Sequence, residues 1–274
     1  MIPNFLITGV QKAATSWIAV CLGEHPQIFI PERKEIFYFD KHYSRGLNWY
    51  EAQFSGWSGE TAVGEATPNY LYEPNVPERI YNTLGNIKII SRLRHTVDMD
   101  YFYFLRFVRR GLIPQDADFK TEFEQDGQFA LRTRGNYFEQ IRRYSYYFPQ
   151  EHHLIVFQEE MKARQSKTLQ KCYALLEVDV NYRPKKMGEL INPGDRVLLF
   201  HNYIYKIRKL LDKLPRNVRY KIVKRASKVQ ERMPELQKPP RLDLDLRREL
   251  YEKHYAADVR QLSEFIDVNI SFWS

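Results

Sequence analysis

Phe5-Leu6-Ile7-Thr8-Gly9-Val10-Gln11-Lys12-Ala13-Ala14-Thr15-Ser16-Trp17 decides how this chain folds. Residues 5–7 form a short apolar run closed by Thr8-Gly9, the pattern of a buried strand. Thr15 or Ser16 is placed to cap a helix running to about residue 24, with Ile18, Cys21 and Leu22 on its apolar side. A strand–loop–helix junction turns backbone N–H groups and the positive helix end toward one spot, which suits a phosphate or sulfate. Lys12 adds a point charge, and Thr15 and Ser16 add hydroxyl donors. A nucleoside-triphosphate loop needs Gly directly before Lys-Ser/Thr. Here Gln11 precedes Lys12 and Thr15 follows three residues later, which disfavours kinase or ATPase chemistry.

Working outward, further strands are expected at 27–30, 87–93 and 153–157, and helices at 97–110, 137–147 and 167–176. Residues 111–130, with Pro114, Gly127 and scattered acids, read as an irregular insertion. Strands alternating with helices indicate a parallel sheet covered on both faces. From 183 to 238 there are 16 Lys and Arg against 5 Asp and Glu. Leu198, Leu199, Ile204, Ile207, Leu210 and Leu211 recur there at helical spacing, which predicts a helix with a basic solvated side.

The chain has 274 residues, 43% of them hydrophobic, enough for a core in one domain over 1–274. With 28% charged and 15% aromatic residues, disorder and fibrous folds are excluded. The net charge of +8 attracts anions, but no nucleic-acid motif accompanies the basic residues, so nucleic acid is not an expected partner. No apolar run reaches the roughly 18 residues of a membrane span. The start, Met1-Ile2-Pro3-Asn4, lacks the basic n-region of a signal peptide. Two cysteines, Cys21 and Cys172, make neither a metal cluster nor a disulfide framework. A cytoplasmic protein, monomeric or homodimeric and without a metal, is expected.

Further motifs follow in order. Lys34-Glu35-Ile36-Phe37-Tyr38-Phe39-Asp40 sets a Lys–Glu pair ahead of an aromatic run, and Gly46-Leu47-Asn48-Trp49-Tyr50 comes next. Gly64-Glu65-Ala66-Thr67-Pro68-Asn69-Tyr70, Leu93-Arg94-His95-Thr96-Val97-Asp98 and Arg134-Gly135-Asn136-Tyr137 then precede Lys238-Pro239-Pro240-Arg241-Leu242 and Ser271-Phe272-Trp273. This series resembles the sulfotransferases that use 3′-phosphoadenosine 5′-phosphosulfate, especially bacterial members and the heparan-sulfate-type branch. The resemblance runs from Phe5 to Trp273.

The resemblance implies a P-loop-like three-layer α/β sandwich with a central parallel sheet and a helical C-terminal region. It implies that Lys12, Ala13, Ala14, Thr15, Ser16 and Trp17 grip the donor's 5′-phosphosulfate and that Arg94 holds its 3′-phosphate. Glu35 becomes the expected base, with its pKa raised by the neighbouring aromatics, and His42 the second candidate. Glu65, Thr67, Tyr70 and Tyr137 are expected beside the acceptor, a small molecule carrying a hydroxyl. Three departures stand out. Ala14 replaces a family Gly, and Phe37 replaces the His of the heparan-type branch. Thr96, Met99 and Phe102 stand where the 3′-phosphate motif has Pro, Arg and Ser, with Lys185 and Lys186 available to compensate. A catalytically weak, sulfotransferase-like binding protein is the alternative that Phe102 favours.

Overall fold

The computed structural model describes residues 2–10, 15–33, 35–114, 116–127, 129–189 and 241–274. The chain falls into two compact units: residues 1–95, 136–192 and 258–273 form one, and residues 96–135, 193–257 and 274 the other.

The first unit is built on a five-stranded parallel sheet in the order β2-β3-β1-β4-β5. Its strands are β1 (Phe5–Gly9), β2 (Ile28–Phe29), β3 (Ala62–Ala66), β4 (Lys88–Leu93) and β5 (His153–Phe157). Four of the five lie where apolar runs predict them. β3 was not predicted, because Ala62-Val63-Gly64-Glu65-Ala66 has no apolar alternation to read.

Side chains alternate across a strand, so register sorts them by face. Phe5, Ile7 and Gly9 share one face with Ile90 and Arg92 of β4, through the pairs Ile7↔Ile90 and Gly9↔Arg92. This face is covered by α1 (Thr15–Gly23) and α8 (Gln165–Leu176), whose Ile18, Leu22, Leu169 and Tyr173 pack on Phe5, Ile7, Ile90 and Val156. Cys21 and Cys172 lie in the same core as free thiols, both pushed up to about 12 by burial. Leu6, Thr8 and Ser91 face the other way. There Thr8 Oγ1 meets Ser91 Oγ at 2.7 Å and His153 Nε2 meets Ser91 Oγ at 2.8 Å. Tyr144 of α6 (Tyr137–Ser145) packs its ring 5.6 Å from His153 and donates its hydroxyl to the Tyr70 carbonyl. Helices on both faces of a parallel sheet make the expected three layers.

Elements not yet named complete this unit: α2 (Leu47–Glu51), α3 (Val76–Leu84) and α7 (Gln158–Ala163). The second unit holds α4 (Thr96–Arg109), α5 (Phe119–Gln125) and the helix Leu244–His254. The helix Ala256–Ile266 follows. α5 corrects the reading of 111–130 as irregular: Asp118 accepts from the Thr121 amide at 2.8 Å as N-cap, and Phe119 and Phe123 are buried one turn apart. In that unit Tyr255 donates a short hydrogen bond to the buried Asp100, and Arg247 pairs with Asp98 at 2.9 Å. Of the basic stretch at 183–238, Arg183, Lys185 and Lys186 are described and exposed, while the predicted helix lies outside the described residues.

β4 leaves no room for a side chain on β1 at Gly9. A Cβ there would stand 2.6 Å from the Arg92 backbone nitrogen, and the φ of +149° is one that side chains disfavour. Gly9→Ala is therefore expected to destabilise the fold by on the order of 1–3 kcal/mol, read as a lower urea midpoint with an unchanged slope.

Candidate active site

In an open parallel sheet, ligands sit beyond the carboxyl ends of the strands where the strand order reverses. In the order β2-β3-β1-β4-β5 that point lies between β1 and β4. Gly9 ends β1 there, beside Arg92, and α1 begins at Thr15. Lys12, Ala13 and Ala14 lie outside the described residues. Thr15 and Ser16 open α1, and Trp17 is buried in the core with no hydrogen-bond partner for its indole N–H among the described residues.

β4 brings two arginines to this end. Arg94, the expected 3′-phosphate ligand, is half-buried just past the strand. Arg92 was not picked out from the sequence, where it passes as an interruption in an apolar run. It is fully buried on the α1 and α8 face, and Nε, Nη1 and Nη2 have no hydrogen-bond partner among the described residues. Burial, with the neighbouring Arg94 charge, pushes its pKa down to about 9, against the pull of Glu159. It stays cationic at neutral pH. Phe102 is half-buried in α4, in the second unit. Lys185 and Lys186 are exposed, and the Lys186 amide donates to the Glu24 carboxylate at 3.3 Å.

Glu35 is exposed, although Tyr38 and Phe39 shortly after it are buried. The aromatic run therefore does not desolvate it as expected; those rings turn inward. His42 is half-buried, its ring edge-on to Trp49 at 5.4 Å. Tyr137 is buried, and its backbone N–H donates to Asp258 at 2.8 Å.

Glu65, Thr67 and Tyr70 come together instead around one buried carboxylate. All three are 0% exposed. Thr67 donates to Glu65 Oε2 at 2.5 Å, Tyr70 to Oε1 at 2.7 Å and Tyr50 to Oε1 at 3.3 Å. Burial nevertheless pushes the Glu65 pKa up to about 7, opposed by these hydroxyls and by the Ile36 amide. A shell of neutral donors thus surrounds the Glu65 carboxylate. The signal was present in the sequence as a Glu among hydroxyl residues, but Tyr50 lies fifteen residues away in chain and only the fold brings it in.

A sequence profile of the sulfotransferase domain matches residues 3–193, more than half of the chain. The chain belongs to the sulfotransferase family. Among relatives, it is 34% identical over 119 residues to the membrane-associated sulfotransferase kil1 of Dictyostelium discoideum, covering 41% of this chain and 25% of that protein. It is 27% identical over 171 residues to heparan sulfate glucosamine 3-O-sulfotransferase 5 of Mus musculus, covering 57% of this chain and 47% of that one. The chain thus spans less than half the length of either relative. Among solved structures, a sulfotransferase from Alicyclobacillus acidocaldarius superposes with a TM-score of 0.74 at 23% identity, covering 100% of this chain and 99% of that one. This chain therefore has the sulfotransferase fold. Among the described residues, no helix is long and apolar enough to cross a membrane.

The buried carboxylate gives this chain a defined pH response. Glutamate titrates at 4.5 ordinarily and Glu65 at about 7 in the fold. Between those values the folded chain keeps a proton that the unfolded chain releases, so stability falls as pH rises. The stability of the wild type minus that of Glu65→Gln should decline by up to about 3 kcal/mol between pH 4.5 and 7 in urea titrations. A constant difference would show that Glu65 titrates normally.

Proposed function

We propose that the chain moves a sulfuryl group from 3′-phosphoadenosine 5′-phosphosulfate to a hydroxyl of a small-molecule acceptor. The observation that carries this reading is the end of β1 and β4: a glycine without room for a Cβ, a helix start and two arginines meet at the switch point of a sulfotransferase-family sheet. Concentrated positive charge at that edge fits a donor bearing phosphate and sulfate groups.

Sulfuryl transfer resembles phosphoryl transfer in that positioning and electrostatic stabilisation supply most of the rate. Lys12 neutralises charge on the bridging and leaving oxygens, and Thr15 and Ser16 donate to the phosphate. Arg94 holds the 3′-phosphate, helped by Lys185 and Lys186. As the acceptor oxygen bonds to sulfur and the sulfur–oxygen bond to the donor phosphate breaks, Glu35 takes the acceptor's proton. The exposure of Glu35 supports this role, because an acceptor can reach it. His42 is the replacement base if Glu35 is not used. The donor is a co-substrate, and its product is 3′-phosphoadenosine 5′-phosphate.

Calorimetric titration with 3′-phosphoadenosine 5′-phosphate should show binding that AMP and ATP do not match. Lys12→Ala should abolish both this binding and turnover, whereas Glu35→Gln should keep binding and lose most turnover. Retained turnover in Lys12→Ala would remove the loop from the site. The binding-protein reading is favoured by Phe102, which supplies no hydroxyl where the family pattern has Ser. It predicts instead that no acceptor accelerates donor cleavage, and that Phe102→Ser tightens the bisphosphate.

A further inference from the structure

The segment that follows Glu35 has an uncommon backbone. Phe37 adopts φ 58° and ψ 29°, the left-handed region, and a single π-helical turn, Tyr38–His42, starts directly after it. A bulky residue in that region is strained and persists only where its surroundings enforce it. Here the enforcement comes from one place in the sequence. The Ile36 amide is directed at the Glu65 carboxylate. The Phe37 amide donates to Thr67 Oγ1 at 3.3 Å, and the Phe39 amide to the Tyr70 hydroxyl at 3.3 Å. Asn69 donates to the Asp40 carboxylate at 2.8 Å.

Glu65 is the hub of this arrangement. Thr67 and Tyr70 each give their hydroxyl hydrogen to its carboxylate, which leaves their oxygens turned to accept from Phe37 and Phe39. Above about pH 7, where Glu65 is deprotonated, its carboxylate is an acceptor only and orients both hydroxyls in one sense. Buried hydroxyls without that acceptor could rotate and release the amides.

We infer that Glu65 is a positioning residue, acting through Thr67 and Tyr70 to hold the backbone after Glu35 in the turn that presents Glu35 to the acceptor. This rests on the reading of Glu35 as base. It assigns Glu65, Thr67 and Tyr70 to the latch on residues 36–40, and not to acceptor contact, in keeping with their complete burial.

The test is a double-mutant cycle on Glu35 and Glu65. Turnover is followed as release of 3′-phosphoadenosine 5′-phosphate, using the fastest acceptor from a panel of phenols, alcohols and sugars, or water where none accelerates release. Glu65→Gln keeps the shape but replaces one acceptor oxygen by an N–H donor. It should lower turnover roughly 10-fold to 100-fold while the bisphosphate dissociation constant stays within about twofold. In the Glu35→Gln background the same change should cost nothing further, because its effect runs through Glu35. Amide exchange at Ile36, Phe37 and Phe39 should accelerate, and exchange in β4 should not.

Unchanged turnover in Glu65→Gln, or a loss that multiplies in full on top of Glu35→Gln, would overturn the inference. If Glu35→Gln alone keeps its turnover, the base assignment fails. The amide exchange then still decides whether Glu65 holds the segment. Should Glu65→Gln not fold, Thr67→Val removes only the link to Phe37. The same non-additivity and faster exchange at Phe37 are expected of it, and their absence counts against the latch.

Discussion

Between Gly9 and Arg92 there is no space for a side chain, and the rest of the sulfotransferase architecture is arranged around that closeness. The parallel pairing of β1 and β4 runs through Gly9, where a Cβ would meet the neighbouring backbone at 2.6 Å. Because β1 ends against its partner, the chain leaves the sheet at its carboxyl edge and starts α1 within a few residues. β4 leaves the sheet at the same level, ending at Leu93 one residue past the partner of Gly9, with Arg94 next in the chain. An anion site at a switch point needs both departures at one height, and the register supplies them.

Two buried ionisable groups lie on opposite faces of this sheet. Leu6 pairs with Glu65, whereas Gly9 pairs with Arg92, and these positions alternate in side-chain direction. Glu65 is surrounded by hydroxyl donors, so its carboxylate form is partly compensated and its pKa stops at about 7. Arg92 has no hydrogen-bonded acceptor among the described residues, and its pKa falls to about 9. A buried group with its own solvating shell costs less than one that relies on distant charges. The cheaper arrangement holds residues 36–40, and the costlier one lies on the face that α1 and α8 cover.

Much of the sheet could be read from local pattern. β1, β4 and β5 are apolar runs with turn residues at their ends, and the structure places them within a residue or two of expectation. β3 escaped because its defining constraint is not in its own sequence: Gly64 is small because the Phe5 ring and carbonyl occupy the space where a Cβ would be. α5 escaped for a different reason. Pro114 and Gly127 mark real breaks on either side of it, but the Asp118 cap and the Phe119–Phe123 pair between them are a helix signal that the breaks obscured. For the candidate site, the residue types were legible and their surroundings were not. Glu35 sits in an aromatic run, yet exposure depends on which way those rings turn, and Tyr38 stacks on Tyr50 at 4.3 Å, beneath the surface.

Local conflict with the fold is what the least legible residues share. A buried glutamate, a buried arginine and a left-handed phenylalanine each cost stability where an apolar residue or a glycine would not. Sequences that fold cooperatively avoid such choices unless something else requires them. Here all three fall in one unit, on β3, on β4 and in the segment between β2 and α2, and none falls on β5. β5 contributes His153 to a neutral network, where burial pushes the imidazole down to about 4 and removes its charge at neutral pH. β4 thus keeps a buried cation beside the switch point, whereas its neighbour β5 keeps a buried imidazole neutral. That contrast between neighbouring strands fits the anionic donor proposed for the end of β1 and β4.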